Sequence, residues 1–153
     1  MKQFAAKTAR PIPVILLADT SASMSVDGKH EVMNQAIRDL IKAFSAESRL
    51  NAEIHLSVIT FGGTAEMHLP LTPVHKIEDF KDFNATGGTP MGAALEITKG
   101  LIENKEVITS RAYRPVIILI SDGHPTDDWE DSFRNFCNSE RAKKATRMAM
   151  AIE

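Results

Sequence analysis

The stretch Val14-Ile-Leu-Leu-Ala-Asp-Thr-Ser-Ala-Ser23 carries the strongest structural signal in the chain. Its first five residues are apolar without alternation, which indicates a strand that is covered on both faces. A second run of the same kind, Val116-Ile-Ile-Leu-Ile120, is followed by Ser121-Asp122-Gly123. Because continuous apolar strands are typical of a parallel sheet between helices, the two runs predict an α/β fold.

The other elements alternate in the way that such a fold requires. Ile54 to Phe61 predicts a third strand, and Gly62-Gly63 followed by the alternating run Thr64 to Leu69 predicts a β-hairpin with an antiparallel edge strand. Arg147 to Ile152 predicts a fifth strand. Apolar residues at helical spacing predict three helices, over Val32 to Phe44, Met91 to Ile102 and Trp129 to about Lys144. The resulting order, β-α-β-β-α-β-α-β, predicts a doubly wound, mostly parallel sheet with helices on both faces.

Length and composition limit the function classes. The chain has 153 residues, which suit one domain, and its net charge of −2 provides no strong field for nucleic acid or anionic lipid. Its single cysteine, Cys137, fits a reducing compartment. The apolar stretch Ile12 to Ala18 is much shorter than the roughly 20 residues of a membrane span. We therefore expect a cytoplasmic protein without nucleic-acid or membrane partners.

Polar residues follow three predicted junctions that face one edge of the sheet. Asp19, Ser21 and Ser23 leave the first strand, Asp122 leaves the strand at 116–120, and Thr89 lies in a glycine-rich loop before a helix. In open α/β sheets, ligands bind beyond the carboxyl ends of the strands. Two carboxylates and three hydroxyls form an all-oxygen site, which suits Mg²⁺ or Mn²⁺. We expect either ion in preference to Ca²⁺.

Each of these residues also has an ordinary structural role. A lone aspartate after a strand binds local amides, serines fill turns, and Thr89 before Pro90 is a good helix N-cap. The acidic residues 127–131 are expected at a solvated helix N-terminus, with the basic residues 141–147 at its C-terminus. Cys137 is expected to be a small buried apolar residue. It is the conjunction of three suitable loops that favours a metal site.

Enzymatic motifs are missing from the sequence. It contains no P-loop, no G-x-G-x-x-G fingerprint and no G-x-S-x-G nucleophile elbow, and no general base is evident. Two alternatives to a metal-dependent binding protein stay open. One is a metal-assisted phosphoryl-transfer or hydrolytic enzyme that uses Asp19 or Asp122. The other is an assembly subunit whose hydroxyls are only caps.

The quoted motifs resemble those of von Willebrand factor A domains. Asp19-x-Ser21-x-Ser23 is similar to the D-x-S-x-S motif of that family, Thr89 to its separate threonine and Asp122 to its final aspartate. The resemblance implies that these five residues form a metal-ion-dependent adhesion site. It further implies that they hold a divalent cation directly or through water, and that a partner protein's Glu or Asp completes the coordination. It therefore implies a binding domain rather than an enzyme.

Flanking residues resemble one bacterial branch of the family. Three segments are similar to the tellurium-resistance-associated (TerY-like) proteins: residues 11–24, Asp-Gly-Lys at 27–29 and Ser-Asp-Gly-His-Pro-Thr-Asp-Asp-Trp at 121–129. That likeness implies a cytosolic role in tellurite or stress resistance, with kinase- or phosphatase-like operon partners. We expect the domain at 11–153, after an N-terminal extension at 1–10. Compared with the family pattern, this domain is expected to lack the last strand and helices.

Overall fold

The structure, a computed structural model, describes residues 9–47 and 52–152. The predicted extension, residues 1–10, lies outside the described residues except for its last two, and Arg10 already belongs to the first strand. The main elements are β1 Arg10–Asp19, α1 Lys29–Ala46, β2 Ala52–Gly62, β3 Thr64–Pro73, α2 Met91–Glu103, β4 Val116–Ser121, α3 Trp129–Asn138 and β5 Thr146–Ala151. Short 3-10 turns lie within Ala22–Gly28, which is interrupted by a kink at Val26 and Asp27, and at Val74–Lys76 and Ala142–Lys144.

The strands form one sheet in the order β3-β2-β1-β4-β5. The strand β1 pairs in parallel with both β2 and β4, β5 pairs in parallel with β4, and only β3 is antiparallel. This confirms the predicted doubly wound fold with an antiparallel edge strand. The strands β2 and β3 lie on one side of β1, and β4 and β5 lie on the other. The topological switch point of the sheet is therefore beside β1.

The two faces of the sheet carry separate cores. On one face, Ile15 and Leu17 of β1 pack with the residues of α2 and α3. On the other, Val14 and Leu16 pack with α1 and with Phe80. Because neighbouring strand residues point to opposite faces, the unbroken apolar run in β1 supplies both cores. None of the helices in the described ranges is long and apolar enough to cross a membrane.

The helix predicted from Trp129 to about Lys144 is shorter than expected. The helix α3 ends at Asn138, and Ser139 is extended with ψ 139°. The carboxylate of Glu103, the last residue of α2, accepts hydrogen bonds from the Ser139 hydroxyl and from the backbone N–H groups of Arg141 and Ala142, at 2.5–2.8 Å. The N–H groups of Arg141 and Ala142 therefore bind this carboxylate and not the carbonyls of a continued α3, and the helix ends.

The prediction that the basic residues 141–147 flank the C-terminus of α3 is also wrong for Arg141. Its guanidinium donates to the backbone carbonyls of Ile102 and Ile108, at 2.6 and 2.5 Å. Arg141 therefore binds carbonyl groups at and just after the C-terminus of α2, more than 30 residues away in sequence. Cys137 is half-buried rather than buried, and its Sγ accepts a hydrogen bond from Arg147 at 2.9 Å.

The hairpin turn packs tightly against the end of β1. A Cβ atom on Gly62 would lie 2.0 Å from the carbonyl oxygen of Thr20. The Thr20 N–H in turn donates to the Phe61 carbonyl at 3.1 Å. The absence of a side chain at Gly62 therefore allows β2 and the chain leaving β1 to approach each other.

We expect Glu103→Gln to lower the free energy of unfolding by about 1–3 kcal/mol at pH 7, because an ionised acceptor of three hydrogen bonds is lost. Burial raises the pKa of Glu103, but the bonds from Ser139, Ala142 and Arg141 and the Arg141 charge outweigh it and hold the pKa below its ordinary value of 4.5. A carboxyl with a lowered folded-state pKa stabilises the fold above its unfolded pKa. The difference between variant and wild type should therefore shrink as the pH falls below about 4.5.

Urea denaturation at several pH values measures this effect. The exposed Glu106→Gln change is the matched control, since it removes the same charge from the next loop. A penalty for Glu103→Gln that did not depend on pH would contradict the assignment.

We expect Gly62→Ala to destabilise the protein by about 3 kcal/mol or more, since the added methyl group meets a backbone carbonyl that cannot rotate away. The control is Gly100→Ala in α2, where the added Cβ has no atom within 4 Å. That change should stabilise the helix by roughly 0.5–1 kcal/mol. Thermal melts compare the stabilities of the two variants. If both changed the melting temperature equally, the close approach at Gly62 would not be required for stability.

Candidate metal centre

The centre begins at the end of β1, where Asp19 is the last residue of the strand and is 0% exposed. Its Oδ1 accepts a hydrogen bond from the Ser21 N–H at 2.8 Å. Its Oδ2 accepts one from the hydroxyl of Ser121, the last residue of β4, at 2.6 Å. The carboxylate is thus fixed from its own loop and from the neighbouring strand.

A row of hydroxyls joins the two strand ends. The hydroxyl oxygens of Ser21 and Ser23 lie 3.0 Å apart, and the Ser23 hydroxyl donates to Asp122 Oδ1 at 2.8 Å. Because Ser23 has one hydroxyl proton and gives it to Asp122, Ser21 is the donor in the bond between the serines. The structure therefore brings together Asp19, Ser21, Ser23 and Asp122 from two loops that are about 100 residues apart in sequence.

Thr89 lies in a loop that is bonded to both of these loops. The N–H of Thr86 donates to the Thr20 carbonyl at 2.7 Å, and the Ala22 N–H donates to the Gly87 carbonyl at 2.9 Å. On its other side, the Thr89 N–H donates to the Thr126 hydroxyl at 2.8 Å. Thr89 itself is only 6% exposed. These bonds hold the loop between the chain that leaves β1 and the chain that follows β4.

Two glycines make this close approach possible. A Cβ atom on Gly87, which has φ +72°, would lie 2.5 Å from Gly63 Cα. A Cβ atom on Gly88 would lie 2.8 Å from the Thr126 hydroxyl oxygen. The glycines of the Thr-Gly-Gly-Thr segment are therefore needed to seat Thr89 between the hairpin turn and the loop after β4.

Thr89 does not cap α2 as the alternative role predicted. The N-cap position is Pro90, and among the described residues the Thr89 hydroxyl has no hydrogen-bond partner. The N–H groups of Gly92 and Ala93 instead donate to the carboxylate of Asp127, at 3.0 and 3.1 Å. Asp127 was expected to be solvated at the start of α3, so the structure corrects that assignment. The start of α2 gains a negative charge where the helix dipole favours one.

Lys29 also belongs to the centre, although no sequence motif predicted it there. Its Nζ lies 3.2 Å from Asp122 Oδ2, and the side chains of Lys29 and Asp122 are 20% and 2% exposed. Two left-handed residues, Asp27 with φ 55° and Gly28 with φ 70°, come just before it. This turn places Lys29 at the first position of α1, facing the end of β4. The Asp-Gly pair signals a turn, but nothing in the sequence shows what the lysine reaches.

The donor set fits a hard divalent cation. It consists of carboxylate and hydroxyl oxygens, which Mg²⁺ and Mn²⁺ prefer, and not of the sulfur and nitrogen ligands typical of structural zinc sites. In the ranges 9–47 and 52–152, no three His, Cys, Asp or Glu side chains form a cluster that could hold a metal ion. Any ion held here would therefore depend on hydroxyl donors in addition to Asp19 and Asp122.

Structural comparison shows the same fold in proteins of diverse origin. The manganese-loaded TRAP protein of Plasmodium vivax superposes with a TM-score of 0.65 at 18% identity, over 94% of this chain and 57% of that one. Proximal thread matrix protein 1 from the mussel byssus, with a zinc-occupied MIDAS motif, gives 0.64 at 16% identity, over 96% and 39%. The pilus adhesin SpaC from Lactobacillus rhamnosus GG gives 0.63 at 16% identity, over 78% and 16%.

The chain thus spans less than two thirds of each of these three proteins. Comparison with curated protein sequences gives no significant match. The family model of the von Willebrand factor type A domain matches residues 14–124, a range that contains Lys29 and the five candidate ligands, Asp19, Ser21, Ser23, Thr89 and Asp122. The chain belongs to the von Willebrand factor type A domain family.

Proposed function

We propose that this domain is a protein-interaction module that binds its partner through a divalent cation. The observation that carries the proposal is the continuous row of oxygen donors from Asp19 through Ser21 and Ser23 to Asp122. It lies at the switch point of a doubly wound sheet, where such folds bind ligands. Thr89, on the adjoining loop, is the fifth proposed ligand.

The proposed ion is Mg²⁺ or Mn²⁺, held by Asp19, Ser21, Ser23, Thr89 and Asp122 directly or through water. Hydroxyl ligands are neutral, so two carboxylates leave little surplus negative charge against an ion of charge +2. When bound, such an ion acts as a Lewis acid that can accept a further carboxylate. Two proteins with this fold, described as manganese-loaded and as having a zinc-occupied MIDAS motif, support divalent-cation binding at such a site.

The proposed partner is a protein that offers a Glu or Asp side chain to the ion. The resemblance of residues 27–29 and 121–129 to TerY-like proteins supports a bacterial, cytoplasmic setting in tellurite or stress resistance. In that setting, kinase- or phosphatase-like proteins from the same operon are the candidate partners.

The local geometry favours binding over catalysis. The Asp19 carboxylate is fully buried and is held in place by hydrogen bonds from Ser21 and Ser121, which suits a fixed ligand better than a nucleophile that must move onto a substrate. Lys29 is paired with Asp122. The hypothesis of a metal-assisted hydrolase or phosphoryl transferase therefore has less support than the hypothesis of a non-enzymatic binding module.

Metal titration tests the proposal. We expect Mn²⁺ or Mg²⁺ at a hundredfold excess over its Kd to stabilise the wild type by about 2.7 kcal/mol. Asp19→Asn and Asp122→Asn should lose most of this gain, because each removes a charged ligand. Thermal melts with and without the ion, compared for each variant with its own baseline, separate lost metal binding from lost stability.

The matched control is Asp39→Asn, the same chemical change at an exposed position on α1. It should keep the full metal-dependent gain. If the wild type gains no stability and calorimetry detects no binding, the proposal is wrong. Metal-dependent hydrolysis of a simple phosphomonoester that is lost in Asp19→Asn would favour the enzymatic alternative instead.

A further inference from the structure

Lys29 occupies a position that ordinary helix electrostatics disfavours. It is the first residue of α1, and the positive end of the helix dipole lies there. A lysine in a first turn is normally free to extend into solvent, but this side chain is only 20% exposed and its Nζ lies 3.2 Å from Asp122 Oδ2. The arrangement indicates that the ammonium is held by the centre and not by its helix.

The pairing divides the oxygens of Asp122 between two donors. Ser23 donates to Oδ1 at 2.8 Å and Lys29 to Oδ2 at 3.2 Å. The Asp122 side chain is 2% exposed, so its charge needs compensation from within the protein. An ion that uses Asp122 must either displace the ammonium or share the carboxylate with it.

Formal charges show what Lys29 does to a bound ion. With Asp19 and Asp122 ionised, the lysine leaves the charged side chains of the centre at −1. A divalent cation then makes the centre +1, and one carboxylate from outside makes it neutral. Without the lysine, the ion alone would neutralise the two aspartates, and an incoming carboxylate would leave a negative charge.

We propose that Lys29 is an internal cation that competes with the divalent ion for Asp122, so that tight metal binding requires a carboxylate ligand from outside. This inference rests on the proposed metal-dependent function. It makes Lys29 a residue that tunes the affinity of the centre and couples the ion to an acidic partner. Coupling of this kind is reciprocal, since a carboxylate that tightens metal binding is itself bound more tightly by the loaded centre.

Direct titration with Mn²⁺, followed by electron paramagnetic resonance of the free ion, tests the competition. Lys29→Met removes the charge and keeps most of the aliphatic side chain. We expect it to bind Mn²⁺ about tenfold more tightly than the wild type, because a cation a few ångströms from the ion is lost. Lys29→Arg keeps the charge and should stay close to the wild type.

Lys42→Met is the matched control, since it removes the same charge from an exposed position on α1. Position 42 is 13 residues further along the helix, which corresponds to roughly 20 Å. Its Mn²⁺ affinity should equal that of the wild type. An equal gain in Lys42→Met would assign the effect to net charge alone and overturn the role of Lys29.

The coupling is tested by repeating each titration in acetate. Wild type should bind Mn²⁺ more tightly at saturating acetate than in chloride at the same ionic strength, and Lys29→Met should show a smaller ratio. A ratio that is the same in both proteins would overturn the coupling.

The melting temperature without added metal provides a second readout, which does not depend on Mn²⁺ affinity. Without added metal, Lys29→Met should melt below the wild type, because Asp122 loses its cation, and saturating Mn²⁺ should narrow or reverse the gap. If the wild type binds Mn²⁺ and Lys29→Met binds it equally or more weakly, the lysine only positions Asp122 and this inference fails alone. If neither protein binds Mn²⁺, the proposed metal function fails as well.

Discussion

The burial of the Asp19 carboxylate at the end of β1 is the constraint on which the centre depends. A fully buried carboxylate is costly unless its oxygens are hydrogen-bonded. One donor comes from the Ser21 N–H, which fixes the direction of the chain after β1, and the other from Ser121, which ties β1 to the end of β4. Satisfying this single charge therefore determines how the two loops meet, and the serine row to Asp122 follows from that meeting.

The glycine-rich segments allow the neighbouring loops to approach the end of β1 closely. Gly62 lets β2 approach the carbonyl of Thr20, and Gly87 and Gly88 let the loop before α2 lie between the hairpin turn and Thr126. At Gly62 and Gly87 an added Cβ would meet backbone atoms, which cannot move aside, and at Gly88 it would meet the Thr126 hydroxyl that accepts the Thr89 N–H. The packing of β1 between β2 and β4 thus extends beyond the last strand residue into the loops that carry the candidate ligands.

The predictable parts of the structure are those set by local pattern. The apolar run at 14–18 and the turn at Gly62-Gly63 predicted the parallel core and the antiparallel edge, and Asp19, Ser21, Ser23 and Asp122 were found together as the strand-end rule required. The wrong predictions concern places where one contact between residues distant in sequence determines the local structure. Asp127 caps α2 and Glu103 ends α3, although each lies 34 or more positions from its partners in the sequence. No periodicity or spacing records such pairings.

Lys29 belongs to the same class of long-range contact, but its consequence is chemical. The protein supplies a donor to each oxygen of Asp19 and Asp122, three of them from hydroxyl or amide groups and one from an ammonium. Neutral donors orient the carboxylates and leave their charge intact, whereas the ammonium reduces it. A centre built this way is preorganised in geometry but limited in negative charge. The preference that we propose for a further anionic ligand would then follow from electrostatics.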